Sequence, residues 1–386
     1  MWIDVAFEAT LQSPFTIKKK RNEQFPETLG YIPGSTLRGM FASAWIRRYG
    51  LGEDFYRLFT QGQQRYPFLY PGSWQSSPYP LTTVSCKRHG GPNKHGVEDL
   101  LCYYATGKEE ELGKRFQCNH ALPAKAGSNA KPSSCGEDRK PFAGYVYAYQ
   151  KSQEMPPRVR YRSRMGVGLD ATTGSTAGGI LYGRSAVDDV WRNESAGTNE
   201  ASQPKKRPAV FAGIGRVEER YLEDLQDLCK TPMFLGSERS RGFGQVRMTL
   251  QKQQRPALEA RLAQFQKSQG DGAFAILLRT PTILLDRYLR NHLDLEKAVS
   301  EIVELKDPYQ HVKSVHLATW NVVHRIHKDD EWGLSAGSVL YAKSPLPRKD
   351  LLSKLQELEA QGLGERREEG FGQIIVCAPL HLPLVA

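Results

Sequence analysis

Gly236-Ser237-Glu238-Arg239-Ser240-Arg241-Gly242-Phe243-Gly244-Gln245-Val246 runs straight into the strand-like Arg247-Met248-Thr249-Leu250. Its three glycines allow positive φ and a close approach of the main chain to a ligand. Arg239 and Arg241 add guanidinium forks suited to phosphate, and Ser240 adds a hydroxyl. The stretch lacks the Gly-Lys-Ser/Thr ending of a P-loop and does not join a strand to a helix, which argues against a nucleotide cradle. The pattern returns as Gly364-Glu365-Arg366-Arg367-Glu368-Glu369-Gly370-Phe371-Gly372-Gln373-Ile374. Both copies read Gly-Phe-Gly-Gln followed by a β-branched residue, with an arginine three residues ahead. A repeat at this spacing predicts two related domains rather than a solenoid, whose units are far shorter. Each copy can be a tight helix-to-strand turn or an RNA contact. Glu368 and Glu369 repel phosphate and favour the turn for the second copy, whereas two arginines favour RNA for the first.

The length of 386 residues accommodates two cores, expected at 1–252 and 253–386. No apolar run reaches the length of a membrane span, and the start Met1-Trp2-Ile3-Asp4-Val5 does not read as a signal peptide, so a cytoplasmic protein is expected. The formal charge is +11, gathered at Lys18-Lys19-Lys20-Arg21, at Arg158 to Arg164 and at Lys205-Lys206-Arg207. Such patches suit a polyanion, either nucleic acid or an anionic membrane, or else simply solubilise a surface. Interleaved aromatics and the lack of a basic amphipathic helix favour nucleic acid.

Residues 60–140 are rich in Gly, Pro and Ser with little periodicity, and read as an insertion in the first domain. They carry Cys86, His89, His95, Cys102, Cys118, His120 and Cys135. A loop-rich segment without its own core can be held by tetrahedral zinc, although no CxxC pair is present and free thiols are the alternative. Cys86, Cys118 and Cys135 are the candidate ligands, with Cys102 or His95 as the fourth; one structural zinc ion is the only cofactor expected. Cys229 and Cys377 sit in apolar contexts and read as core thiols.

Residues 1–13 alternate as a half-buried strand. Tyr31-Ile32-Pro33-Gly34-Ser35-Thr36-Leu37-Arg38-Gly39 leads into a helix, with Ser35 or Thr36 as expected N-cap and an anion site at the helix start beside Arg38. Val159 to Met165 reads as a strand with Arg160, Arg162 and Arg164 on one face, a row suited to phosphates beside stacking tyrosines. Gly166 to Gly179 is a loop or hairpin ending at Ile180-Leu181-Tyr182, and 192–208 reads as a flexible surface loop. Phe274–Leu278 is a buried-strand candidate, and Leu351, Leu352, Leu355 and Leu358 form a core-facing helical stripe.

Ile32-Pro33-Gly34-Ser35-Thr36-Leu37-Arg38-Gly39, coupled to Arg239-Ser240-Arg241-Gly242-Phe243-Gly244, resembles the RAMP superfamily of CRISPR-associated proteins. The resemblance covers most of the chain outside the cysteine-bearing segment. It implies an α+β fold of two ferredoxin-like, RRM-related domains that bind CRISPR RNA and assemble into effector complexes. The segment 158–182 is similar to the family's hairpin, which inserts between RNA nucleotides or against a neighbouring subunit. Ala336-Gly337-Ser338-Val339 is similar to a strand of the subunits that cap the 5′ handle of the guide in type III effectors. The resemblance is nearest to the Csx-ten, Cas-five-like family of type III-D systems. Its implied neighbours are the large polymerase-like subunit and the backbone RAMP subunits.

Three functions compete. A non-catalytic RNA-binding subunit needs positive charge, glycine loops and aromatics, and all are present. A metal-independent endoribonuclease needs an acid and a base; His316, His324 and His327 are candidates on apolar or helix-like stretches. A backbone subunit cutting target RNA uses, in the family, an Asp before the Ile-Pro-Gly-Ser motif; here Lys18–Leu29 offers Glu23 and Glu27 instead. Asp188-Asp189 and Asp329-Asp330 read as loop charges. The expected RNA-binding set is therefore Ser35, Arg38, Arg160, Arg162, Arg164, Arg239, Ser240, Arg241, Gly242, Phe243 and Gly244, without a catalytic residue.

Overall fold

The computed structural model describes residues 1–19, 27–61, 63–91, 95–107, 113–120, 135–150, 155–192, 206–317, 320–321, 326–327 and 330–382. Lys20, Arg21, Glu23, Lys205, His324 and Asp329, together with most of the 192–208 segment, lie outside them, and the side chain of His327 is not described. The chain is a mixed α/β protein with antiparallel sheets that divides into two compact units. The first comprises Met1–Ser76, Pro156–Gln254 and Glu368–Gly370; the second comprises Ser77–Met155, Arg255–Arg367 and Phe371–Ala386.

In the first unit, the sheet order is Met233–Phe234, Gln245–Lys252, Trp2–Leu11, Val210–Glu218, Tyr70–Pro71. Trp2–Leu11 is central, and the period-2 pleat turns Val5, Phe7, Ala9 and Leu11 into the core. Its neighbours are in register with Phe7 opposite both Gly213 and Leu250. Leu37, Met40, Phe41, Ala44 and Trp45 of helix Gly34–Tyr49 pack into the same core, as do Leu222, Leu225 and Leu228 of helix Leu222–Leu228. The 3.6-residue period places each set on one helical face. Burying a large aliphatic or aromatic side chain stabilises by about 2 kcal/mol, so this interior holds the unit together.

In the second unit, the order is Lys306–His311, Val339–Lys343, Ala273–Leu278, Ile374–Val376. Ala273–Leu278 is buried at every position, as expected of a central strand covered on both faces. Helix Arg348–Gln361 inserts Leu351, Leu355 and Leu358; Leu352, expected on that stripe, is only partly buried at its margin. Beyond this sheet, Ser314–Leu317 pairs with Glu331–Leu334, and the short Trp320–Asn321 pairs with Ile326–His327.

The cysteine-bearing segment interrupts the first unit in the sequence but groups with the second in space. Leu101, Cys102 and Ala148 belong to the second unit's core, and Leu81 N–H donates to the Gly337 carbonyl at 2.8 Å. Buried Asp99 meets His381 Nδ1 at 2.6 Å, fastening the segment to the end of the unit. Leu101 and Ala148 turn their apolar surface to that core, while the segment's own cluster among the described residues is small: Tyr79, Val97 and Val146, with Phe142 and Leu380 packed against it.

Candidate nucleic-acid interface and metal centre

Both glycine loops follow the last helix of their unit's sheet and enter its final strand. In the first, Leu235 N–H donates to the Gly244 carbonyl, Gly244 N–H to Pro14, and Ser237 N–H to Thr16. In the second, Leu363 donates to Gly372, Gly372 to Pro281, and Glu365 to Ile283. Ser13 Oγ accepts from Gln245 N–H at 2.9 Å, and Thr280 Oγ1 accepts from Gln373 N–H at 2.9 Å. A Ser-Pro or Thr-Pro after the first strand of each unit's main sheet thus braces each loop. That pair was missed in the sequence, where two residues are too short to stand out without the loop they serve.

The frame needs glycine where main chains meet. A Cβ on Gly244 would lie 2.0 Å from the Leu235 carbonyl oxygen, and one on Gly372 1.8 Å from that of Leu363; both have φ in the left-handed region, at 80° and 71°. Phe243 and Phe371 are buried anchors in their loops.

The first loop forms a 3-10 turn at Arg239–Arg241, with Arg239, Ser240, Arg241 and Gly242 exposed. Arg239 Nε donates to the Gly236 carbonyl at 3.0 Å, and Arg241 pairs with Glu238. Partial burial of its guanidinium, and secondarily the nearby Arg47 guanidinium, push Arg239 below the usual arginine range. Arg164 sits 5.9 Å above the Phe243 ring, and Arg184 lies 3.7 Å from Glu238. Arg47 and Arg184 were not among the expected residues. Arg184 faces Arg164 across the hairpin, a register that only strand pairing reveals.

Strands Tyr161–Leu169 and Thr176–Val187 form that hairpin. Arg160, Arg162 and Arg164 share a strand parity, but Arg162 is held by Asp188 at 2.7 Å. Asp188, read as a loop charge, is instead a buried structural partner and also accepts from Asp189 N–H. Burial and the adjacent Asp188 push the Asp189 carboxyl up. On the opposite parity, Tyr161, Met165, Val167 and Leu169 are exposed.

Ser35 and Thr36 are not caps. Pro33, extended at φ −63° and ψ 147°, holds the N-cap position, and its carbonyl accepts Thr36 N–H and Leu37 N–H without any side-chain cap. The fixed proline φ supplies the entry geometry, so the helix starts earlier than the hydroxyls suggest. A Cβ on Gly34 would lie 2.2 Å from the Glu369 carbonyl oxygen and 2.3 Å from that of Tyr66, so the first turn is packed on main chain rather than open to an anion. Arg38 donates twice to the Phe59 carbonyl and meets Glu369 at 2.9 Å. Its guanidinium clamps the fold.

Four further donors converge. The ligand atoms of Cys86, His95, Cys118 and Cys135 all lie within 4.8 Å of one another. Cys102, one of the two named choices for the fourth ligand, is not among them: its thiol is buried in the second unit's core and reaches the His381 carbonyl at 3.4 Å. Burial pushes that thiol up, which suits a packing role over ligation. Cys377 is buried and its thiol pushed up to about 12, as expected of a core thiol; Cys229 is half-buried, with its thiol likewise at about 12. His316 lies 3.3 Å from Asp330 on an exposed surface. Among the described residues no helix is long and apolar enough to cross a membrane.

The sequence profile of a CRISPR-associated protein family (Cas_Cmr3) matches residues 194–379, and that of the RAMP superfamily matches residues 10–247. No curated protein matches the chain. Among solved structures, one match is a chain of the type III-B Cmr-beta complex bound to cognate target RNA, at 11% identity and TM-score 0.42, covering 93% of this chain and 96% of that one. A second is a chain of the same complex bound to cognate target RNA and AMPPnP, at 11% identity and TM-score 0.40, covering 87% and 86%. The superfamily match spans more than half of the 386 residues and includes both the Ile-Pro-Gly-Ser segment and the first glycine loop, and the chain belongs to the RAMP superfamily.

Proposed function

We propose that this protein is a non-catalytic, RNA-binding subunit of a type III CRISPR effector complex that caps the 5′ handle of the guide. The observation that carries the reading is the exposed, cationic tip Arg239-Ser240-Arg241 on a braced loop, with Arg47, Arg164 and Arg184 close to it. A rigid backbone with converging guanidinium groups favours phosphate recognition, since little ordering entropy remains to be lost. Both units are ferredoxin-like in this reading. Numbering the four main strands of each sheet along the chain gives the same order, 4-1-3-2, in both, supported by the repeated glycine loop. The Cas_Cmr3 match over 194–379 supports the type III assignment and favours a Cas_Cmr3-like subunit over the III-D family.

Arg38 and Arg162 act within the protein in this reading, through Glu369 and Asp188, leaving the loop and the rest of the hairpin to the RNA. The exposed apolar row of the hairpin, Met165, Val167 and Leu169, suits a neighbouring subunit or splayed bases. The large polymerase-like subunit and the backbone subunits are the proposed protein neighbours.

The test is guide-RNA binding by the Arg239→Ala/Arg241→Ala protein in its complex across a salt series. Removing two phosphate contacts lowers the salt slope by about 2. An unchanged affinity and slope removes the loop from the interface. Crosslinking to nucleotides at regular intervals along the guide, rather than to the 5′ handle alone, identifies a backbone subunit instead. Cleavage of repeat RNA in EDTA by the wild-type chain identifies the endoribonuclease alternative.

A further inference from the structure

We propose that Cys86, His95, Cys118 and Cys135 bind one zinc ion that holds the cysteine-bearing segment in its folded form, with His95 ligating through Nδ1. This goes beyond the RNA-binding reading and does not depend on it. A tetrahedral site with Zn–S near 2.3 Å places its ligand atoms roughly 3.5–3.8 Å apart. Cys86 Sγ and Cys135 Sγ are 4.0 Å apart, and His95 Nδ1 is 3.3 Å from Cys118 Sγ. The cysteine pair is too far apart for a disulfide, whose sulfurs sit about 2.05 Å apart. Four donors crowded around one point suit a single ion rather than an iron–sulfur cluster, which separates its ligands more widely.

The main chain is shaped for ligation. His89 N–H points at Cys86 Sγ at 3.4 Å, the contact that stabilises a thiolate ligand. Cys118 N–H donates to Glu137, Gly136 N–H to Cys118, and Cys135 N–H to His120, so two of the ligands are paired across adjacent main chains. His89 and His120 flank the His95 ring, with centroids 4.7 and 4.2 Å away, and fix its plane. Cys86 and Cys118 are buried, which closes the site to substrate and makes it structural. The ion reinforces a small core: strands Thr83–Cys86, Val97–Asp99 and Arg139–Pro141 form a small sheet, and among the described residues the apolar cluster beside it is Tyr79, Val97 and Val146 with Phe142 and Leu380 packed against them.

The full chain, purified without added metal, is expected to carry one zinc per molecule by elemental analysis. Exchange for cobalt(II) should give the visible bands of a tetrahedral three-sulfur, one-nitrogen site. Cys86→Ser and His95→Asn should lose the metal, while Cys102→Ser keeps it. Because the first two variants can misfold, zinc is also removed from the wild-type protein with a mercurial that titrates thiolates. Hydrogen exchange should then rise at 83–86, 97–99 and 139–141 while 2–11 stays protected. Metal-free protein with six titratable thiols, iron with acid-labile sulfide, loss of zinc in Cys102→Ser, or unchanged exchange after removal each overturns the proposal.

Discussion

At Gly236–Gln245 and Gly364–Gln373 the chain makes the same main-chain hydrogen bonds to equivalent partners, yet the two tips carry opposite chemistry. In the first, Arg239, Ser240 and Arg241 are exposed. In the second, Arg366 pairs with Glu331 and stacks 4.9 Å over Phe371, while Glu369 is buried against Arg38. Gly-Phe-Gly-Gln therefore encodes a turn, and the residues one to four positions before it decide whether that turn faces a ligand or the protein itself. A glycine motif without its neighbours is a statement about backbone geometry.

The largest effect should come from the frame. Gly244→Ala and Gly372→Ala each force a Cβ into a carbonyl oxygen and are expected to cost about 3 kcal/mol by denaturant unfolding. Gly242→Ala, at φ 82° with nothing within 4 Å, should cost only about 1 kcal/mol; equal losses at all three sites break the argument that close approach matters. Next, Arg38→Ala removes the guanidinium that meets the buried Glu369 carboxylate and should destabilise by about 2 kcal/mol while leaving the RNA salt slope alone. A reduced slope would return Arg38 to the interface. Ser13→Ala and Thr280→Ala should each cost about 1 kcal/mol, and a large inequality would mean that the braces are not equivalent. The smallest change is expected from Glu238→Gln, which releases Arg241 and should shift stability by less than about 0.5 kcal/mol while tightening RNA binding.

Much of this was legible because it repeats or alternates. The glycine loops are visible twice, the first strand shows its alternation over Trp2–Leu11, and the buried run at 274–278 names its own burial. What stayed hidden depends on long-range pairing. Arg160, Arg162 and Arg164 have the same spacing, but Asp188, twenty-six residues from Arg162, takes one of them. Cys86, Cys118 and Cys135 were named from chemistry alone, whereas the choice between Cys102 and His95 needed the packing of Cys102 beside the end of the chain. No local pattern announces that Ser77–Met155 belongs to the second core, because the deciding contacts are made by residues such as Leu101 that look alike in either setting.

The path of the chain through its two units has a consequence for synthesis. The chain leaves the first unit at Ser77, returns at Pro156, leaves again after Gln254, and revisits it only for Glu368–Gly370. Neither unit exists as a contiguous fragment, so no single cut separates them. On the ribosome, Arg38 waits more than three hundred residues for Glu369, and Asp99 waits for His381, while the cysteine-bearing segment emerges before the core it packs on. Contacts so distant in sequence slow folding and prolong the exposure of unfinished surfaces. The nascent chain therefore depends on late translation to complete what its first forty residues begin.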